Sequence, residues 1–293
     1  MRRIRFGLFD AVNYTLLIAM CLMAVVPFLN VLAKSLSSEN AIMLGRVSVL
    51  PVDLSFDSYA YVLKSKDFLN AFIIQLTVTV FGTLLAVTLT CLMAYPLSRK
   101  RLGGKSVILI MVVATMIFDA GLIPNYMVLR MFGTVNTIFA LIIPLAFNGF
   151  NMFIVRSYMQ TIPESVVESA TIDGASHFKI LIHIILPFSI PVLATIGLFF
   201  AVGYWNDYFN AMVYITQHHL KPLQLYMREI IYEALDPVGS AGSTRQDSDS
   251  FMFLSPISVR AATIIASTVP ILFVYPLLQK YYIKGIMIGA VKE

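Results

Sequence analysis

Charge is scarce in this chain. Lys, Arg, Asp and Glu together make up 13% of its 293 residues, about half of what a soluble globular domain carries. Only 16 residues are acidic, two are Cys and one is Trp. Cys21 and Cys91 both lie inside apolar runs, which excludes a disulfide framework or a thiolate metal site. They read as small hydrophobes. The basic residues are scattered and not interleaved with aromatics, so a nucleic-acid footprint is excluded as well. No His/Cys metal spacing and no Ser-His-Asp order stands out. "GGKS" (103–106) matches the end of a P-loop, but the Gly needed five residues before the Gly-Lys pair is Arg99. Lys105 therefore reads as a topology charge, and the chain has no nucleotide-binding motif of its own.

What is abundant is apolar surface, at 58% of residues. Stretches near 20 residues with few charges occur at 11–33, 69–97, 107–129, 137–155, 184–204 and 261–278, the length that crosses a bilayer. A spanning segment must satisfy its own backbone hydrogen bonds, so all six are expected to be helices despite their Ile, Val and Thr content. The expected fold is an all-α membrane protein with six transmembrane helices and one domain, 1–293. No repeat of 20–50 residues and no shift in composition separates a soluble part. The first run follows the basic "MRRIRF" but is longer than a signal-peptide core and lacks a small-x-small exit, so it is expected to be a retained span.

Lys and Arg bias sets the orientation. Arg2, Arg3 and Arg5 precede the first run, Arg99, Lys100, Arg101 and Lys105 crowd the second connection, and Lys280, Lys284 and Lys292 follow the sixth. Six spans put these places on one side, expected to be the cytoplasm, with both termini there. Residues 156–183 then share that side, and the long connections 34–68 and 205–260 face outward. Within the latter, "PLQLYMREIIYEAL" has helix spacing, with Leu223, Met227 and Ile230 on one face, and 236–250 reads as a flexible insert.

Between the fourth and fifth runs the sequence turns polar. "TIPE" (161–164) has the pattern of a helix start, with Thr161 as cap, Glu164 completing a capping box and Pro163 at an early position. Glu164 and Glu168 lie near the positive end of the helix dipole. Val167, Ala170 and Thr171 form a separate strip. Asp173-Gly174 is expected to stop this helix, since Gly accepts a left-handed conformation, and Ser176 to cap a second helix through Phe178, Leu181, Ile182 and Ile185 to Pro187. An interfacial anchor is usually basic on its polar face. This helix is acidic and would be repelled by anionic lipid, which favours a protein partner.

"ESATIDGASHFKILIHIILPFSIPVL" (168–193) resembles the EAA loop of ABC-importer permeases, a Glu-Ala-Ala triplet, three residues, Gly, and about a dozen more to Leu-Pro. Glu168, Ala170, Asp173, Gly174, Ala175, Leu186 and Pro187 match, and Ser169 replaces the middle Ala. "GLIPNYMVLRMFGTVNT" (121–137), "YWNDYFNAMVYI" (204–215), "KPLQLYMREII" (221–231) and "YPLLQKYYIKGIMIGAVKE" (275–293) extend the resemblance from about residue 10 to the C-terminus. They resemble carbohydrate importers, in the branch of the second maltose permease and its relatives for large or acidic oligosaccharides. The resemblance implies a type I permease of the bacterial inner membrane, paired with a second permease. It implies two copies of a cytoplasmic ATPase that use ATP and Mg, an extracytoplasmic sugar-binding protein, and no cofactor held by this chain. It also implies that Glu168, Ser169, Ala170, Asp173, Gly174 and Ala175 form a coupling helix for the ATPase, with Glu168 as a charged contact. His177 and His183 read as surface or packing residues.

Sugars are held by aromatic faces and hydrogen-bonding side chains in otherwise apolar pockets. Polar groups within or beside the runs are therefore candidates for a solute path: Asn148 and Asn151 in the fourth, Trp205, Asn206, Tyr208 and Asn210 at the end of the fifth, and Asp119 in the third. Each has a plainer alternative. Trp205 and Tyr208 suit an interfacial aromatic belt, the asparagines suit interhelical hydrogen bonds, and Asp119 suits a paired charge near a helix end, since an acid at the bilayer centre costs about 2.5–3.5 kcal/mol. A stand-alone secondary transporter or channel is the alternative function. It predicts broken helices and ionisable residues in matched halves, neither of which is clear in the sequence. A membrane-anchored scaffold without transport is weaker still, because it gives the intramembrane Asn and Asp no role.

Overall fold

The computed structural model of the chain describes residues 8–100, 102–233 and 257–273. Arg2, Arg3, Arg5, Arg101, the 236–250 segment, the end of the sixth run and all of 275–293 lie outside the described residues. Among those described there is no β-strand, and one isolated antiparallel bridge joins Ser37 to Leu54.

In chain order the helices are α1 (Leu8–Ser35), α2 (Glu39–Met43), α3 (Asp57–Lys64), α4 (Lys66–Ser98), α5 (Lys105–Ile117), α6 (Leu122–Met131) and α7 (Phe139–Ile142), which tightens into a 3-10 turn at Ile143–Leu145. Then come α8 (Gly149–Met159), α9 (Glu164–Ile172), α10 (His177–Ile180), a π-helical segment at Leu181–Ile185, α11 (Leu186–Asn206), α12 (Phe209–Tyr214), a 3-10 turn at His218–Leu220 and α13 (Leu223–Glu233). A final apolar helix, α14, covers Ile257–Phe273.

Among the described residues, three helical stretches are long and apolar enough to cross a membrane: Phe9–Ser35, Lys66–Ser98 and the continuous His177–Asn206. Two more reach that standard only as bent pairs, α5 with α6 at 117° and α7 with α8 at 55°. The third run is therefore not the single helix expected over 107–129. The break has local causes. Asp119 Oδ1 accepts a hydrogen bond from the Gly121 backbone N–H at 3.0 Å, and Gly121 adopts φ +81°. A short acidic side chain that bonds its own backbone competes with the helix ladder. In the fourth run Pro144 lies in the 3-10 turn, and Asn148 starts a new helix by accepting from Asn151 N–H at 3.0 Å.

The described residues fall into two compact units, one within Met1–Leu69 and Met227–Pro270, the other within Asn70–Tyr226 and Ile271–Glu293. In the first, α1 exposes large apolar side chains along its length, including Phe9, Leu16, Met23 and Phe28. Cys21 is exposed there too, not packed as the sequence implied. Such a surface is untenable in water and ordinary in hydrocarbon. At the end of α1, Asn30 Nδ2 donates to Ser48 O at 2.6 Å, and Ser35 Oγ meets Tyr59 Oη at 2.8 Å. Ala33, Ala41, Ile42 and Val47 close a small core beneath the connection.

The second unit has a larger core, built on Met152, Val155, Met159, Ile185 and Ile196. Lipid removes most of the hydrophobic drive between helices, so close backbone approach through small residues must supply the packing. Ala86, Ala94, Ala140 and Ala211 are all fully buried. A Cβ on Gly82 would sit 2.6 Å from the Tyr204 ring, and one on Gly149 would sit 2.8 Å from Met116 Cγ. Tyr204 Oη donates to Ile142 O at 2.8 Å, and Tyr204 O accepts from Gln75 Nε2 at 2.8 Å. One residue thus joins α4, α7 and α11.

Candidate functional site

Residues 160–187 form a helix, a sharp turn and a second helix. α9 starts at Glu164 with Pro163 as its cap, and no side chain caps it. The expected capping box is absent because Thr161 Oγ1 donates backward to Tyr158 O at 2.8 Å. Glu164 instead meets Lys100 Nζ at 3.0 Å, tying the start of α9 to the connection after α4. Both partners are largely exposed, so the pair contributes about 0.2–1 kcal/mol at most.

The stop is the one the sequence implies. Gly174 has φ +79°. Gly174 N–H donates to Thr171 O and Ala175 N–H to Ala170 O, both at 3.0 Å. This paired arrangement is the Schellman motif, which satisfies carbonyls that a helix end leaves open. Ser176 then caps α10 by accepting from Lys179 N–H at 3.4 Å. Ser169 Oγ and Thr171 Oγ1 return to the Ser165 and Val167 carbonyls, so α9 satisfies its own hydroxyls.

The turn is held on one side only. Val167, Ala170 and Ala175 pack on the core of the second unit, whereas Glu168, Ser169, Thr171, Asp173 and Gly174 are exposed. Two apolar side chains project outward with them, Ile172 at 85% exposure and Phe178 at 64%. The sequence did not single out Ile172. Its signal is its place outside the Val167 and Ala170 strip, one residue before an acidic stop. Beyond the turn, α10 runs without interruption through the π segment into α11, and Ile180, Leu181 and Ile185 are buried. α11 has 21 residues and is about 31 Å long. Tyr158 Oη donates to Phe188 O at 3.1 Å and fixes α8 to its first turn.

At the far end of α11 the candidate path residues take different positions. Trp205 is buried, edge-on to Phe72 with centroids 6.2 Å apart, so it is not part of an exposed aromatic belt. Its Nε1 is buried without a hydrogen-bond partner among the described residues. Asn206 donates to Val202 O at 2.9 Å within its own helix. Asn210 is bound by Asp207, through its backbone N–H at 3.2 Å and its amide at 2.9 Å. Tyr208 is exposed beside them. Asn151 is buried in the first turn of α8, and Asn148 is spent on capping that helix. Asp119 lies exposed between α5 and α6, not inside a span.

The sequence missed two residues at this end. Asn136, at φ +59°, accepts from Thr216 N–H at 2.7 Å and from Thr216 Oγ1 at 2.9 Å. Tyr214 stacks on Tyr126 with centroids 6.2 Å apart. Burial, and then the Asp207 carboxylate, pushes the Tyr214 phenol above its ordinary value, so it stays a neutral hydroxyl. These partners are some 80 residues apart in sequence, which no local pattern signals.

Comparison with known proteins agrees with this architecture. The chain is 35% identical over 285 residues to the polygalacturonan/rhamnogalacturonan transport system permease protein YtcP of Bacillus subtilis, covering 97% of this chain and 98% of the relative. It is 28% identical over 272 residues to the melibiose/raffinose/stachyose import permease protein MelC of the same organism, covering 91% of each. Its backbone superposes with a TM-score of 0.88 and 33% identity on a chain from the crystal structure of a bacterial ABC transporter involved in the import of the acidic polysaccharide alginate, covering 96% of this chain and 99% of that one. The family model for the inner-membrane component of binding-protein-dependent transport systems matches residues 15–288. With helices of spanning length and no strand among the described residues, the chain belongs to this family of inner-membrane transport components.

Proposed function

We propose that this chain is one permease of an ATP-driven importer of oligosaccharides, and that the 161–187 turn is where a separate ATPase takes hold of it. The turn's geometry carries the reading. An exposed acidic helix ends in a Gly174 stop, and the helix that starts after the turn at His177 runs unbroken into an apolar stretch long enough to cross a membrane. A packed element of this kind transmits displacement because packed interfaces switch and do not deform gradually. Glu168 supplies a charged contact, Ile172 supplies an apolar one, Ala170 and Ala175 pack inward, and Ser169, Asp173 and Gly174 shape the exposed tip. A second permease completes the pore, two ATPase copies with ATP and Mg drive it, and an extracytoplasmic binding protein delivers the sugar. Both termini lie on the cytoplasmic side.

The substrate is an acidic oligosaccharide. Support comes from the relatives, since identity to permeases serving a polyuronide and alginate, 35% and 33%, exceeds the 28% to a permease for neutral galactosides. Trp205, Tyr208, Asn151 and Asn210 line the path at the α11 end. Asn148, Asn206 and Asp119 are each bound to a backbone group.

The test is Glu168→Lys in the importer reconstituted with its partners in liposomes. Substrate-stimulated ATP hydrolysis and co-purification of the ATPase are both expected to fall. If both survive, the turn does not couple. Uptake by the chain alone, without nucleotide, would instead favour a secondary transporter.

A further inference from the structure

A groove of about 530 Å3 lies beside the lever, between the end of α4 and the arm leaving the turn. Its walls are largely apolar, Leu92 and Pro96 on α4, Leu102 from the connection after it, and Phe178 and Leu181 on the arm, with His177 beside them. At one place the lining is polar and unsatisfied. Tyr95 is 7% exposed, and its hydroxyl has no hydrogen-bond partner among the described residues. Arg99 lies over the Tyr95 ring at 5.2 Å, with Nε and Nη2 buried and likewise unbonded. The cations around it are provided for. Lys100 pairs with Glu164, Lys105 Nζ donates to Arg99 O at 3.1 Å, and Arg156 Nε donates to Leu97 O at 2.9 Å. A desolvated guanidinium with unbonded donors beside an unbonded hydroxyl is a costly arrangement in isolation. It is a complementary one for an oxyanion.

We propose that this groove seats one anionic phospholipid. The phosphate accepts from Arg99 and from the Tyr95 hydroxyl, and an acyl chain lies along Leu92, Pro96, Phe178 and Leu181. A soluble anion would leave those walls bare, and a lipid without a phosphate would leave the guanidinium unanswered. Arg99 sits one residue past the end of a helix long enough to span the membrane, where hydrocarbon gives way to headgroups. The groove's two walls are α4 and the first turn of the α10–α11 arm, so a seated lipid bears on the same arm that the lever moves. The site depends on neither the sugar nor the ATPase contact.

Native mass spectrometry of the full chain with its partner subunits in detergent tests this, titrating palmitoyl-oleoyl phosphatidylglycerol against palmitoyl-oleoyl glycerol, the matching diacylglycerol, which keeps the acyl chains and has no phosphate. Wild type is expected to hold the anionic lipid about fivefold more tightly or better, the effect of one basic residue near a lipid surface. Arg99→Gln should bring the two lipids level. Tyr95→Phe, which keeps the ring, should weaken the anionic lipid alone, and Phe178→Ala should weaken both. If Arg99→Gln does not fold, the Tyr95→Phe result decides. Equal binding of the two lipids by wild type, or an unchanged preference in both Arg99→Gln and Tyr95→Phe, overturns the proposal. So does full displacement by millimolar inorganic phosphate, which marks a free-anion site. So does a preference seen only after the ATPase is stripped away, which marks a protein-covered groove.

Discussion

The two ends of α11 are built on opposite terms. At its start the lever presents Ile172 at 85% exposure and an exposed Glu168, and its turn is held by an exposed ion pair and by hydrogen bonds that span five residues or fewer, with the Tyr158–Phe188 bond tying the helix just beyond it. At its finish Tyr204 is 1% exposed and bound to residues 62 and 129 positions away. The first end keeps its shape by local capping and so remains open to a partner. The second gains shape from packing and leaves little free. The proposed grip needs a surface that is rigid without being buried, and a helix stopped by a left-handed Gly meets both demands.

Substitutions can break this comparison, and the largest effect belongs to the packed end. Tyr204→Ala removes a buried ring and its hydroxyl's bond to Ile142 O, while the backbone carbonyl that accepts from Gln75 remains; the expected loss is about 3–5 kcal/mol, visible as failure to recover folded importer from the membrane. Gly82→Ala places a methyl against the same ring and is expected to cost about 1–3 kcal/mol, read as a lower melting temperature of the purified complex. If it melts like wild type, the α4–α11 contact is looser than described.

The lever end should respond in activity more than in stability. Gly174→Ala meets no atom within 4 Å, so its cost is backbone strain alone, about 1–2 kcal/mol. The fold should survive, and substrate-stimulated ATP hydrolysis should drop as the turn opens. Ile172→Ser removes an exposed side chain, and the melting temperature should not move while ATPase co-purification falls. Lys100→Ala is the smallest. Less than about 1 kcal/mol is expected, and the difference from wild type should vanish as salt is raised. A large effect at high salt would mean that the Lys100–Glu164 pair is structural.

Much of this was legible because the signals are local. Run length and low charge marked the helices that need lipid, and the Asp173-Gly174 pair marked the stop. The bends were not legible, because composition alone does not distinguish a straight span from a folded-back pair. Asp119 is the instructive residue. As a lone acid in an apolar run it is a path candidate with a helix-end charge as its plainer reading, and it accepts from the Gly121 N–H at a break in the run and stays exposed. Thr161 likewise fits a capping pattern, but its hydroxyl finds the Tyr158 carbonyl first. In both cases a short polar side chain bonds the nearest backbone group.

The sequence by itself determined the solvent, the helical class and the acidic, glycine-stopped lever, since each rests on length, charge or contacts within one helical turn. Tertiary structure decided where helices bend, which of Trp205, Asn151 and Tyr214 are buried, and that Arg99 and Tyr95 share an unbonded corner of an apolar groove. Those outcomes depend on helices distant in sequence approaching through Gly82, Gly149 and the buried alanines, and such approach is a property of packing that no local pattern encodes.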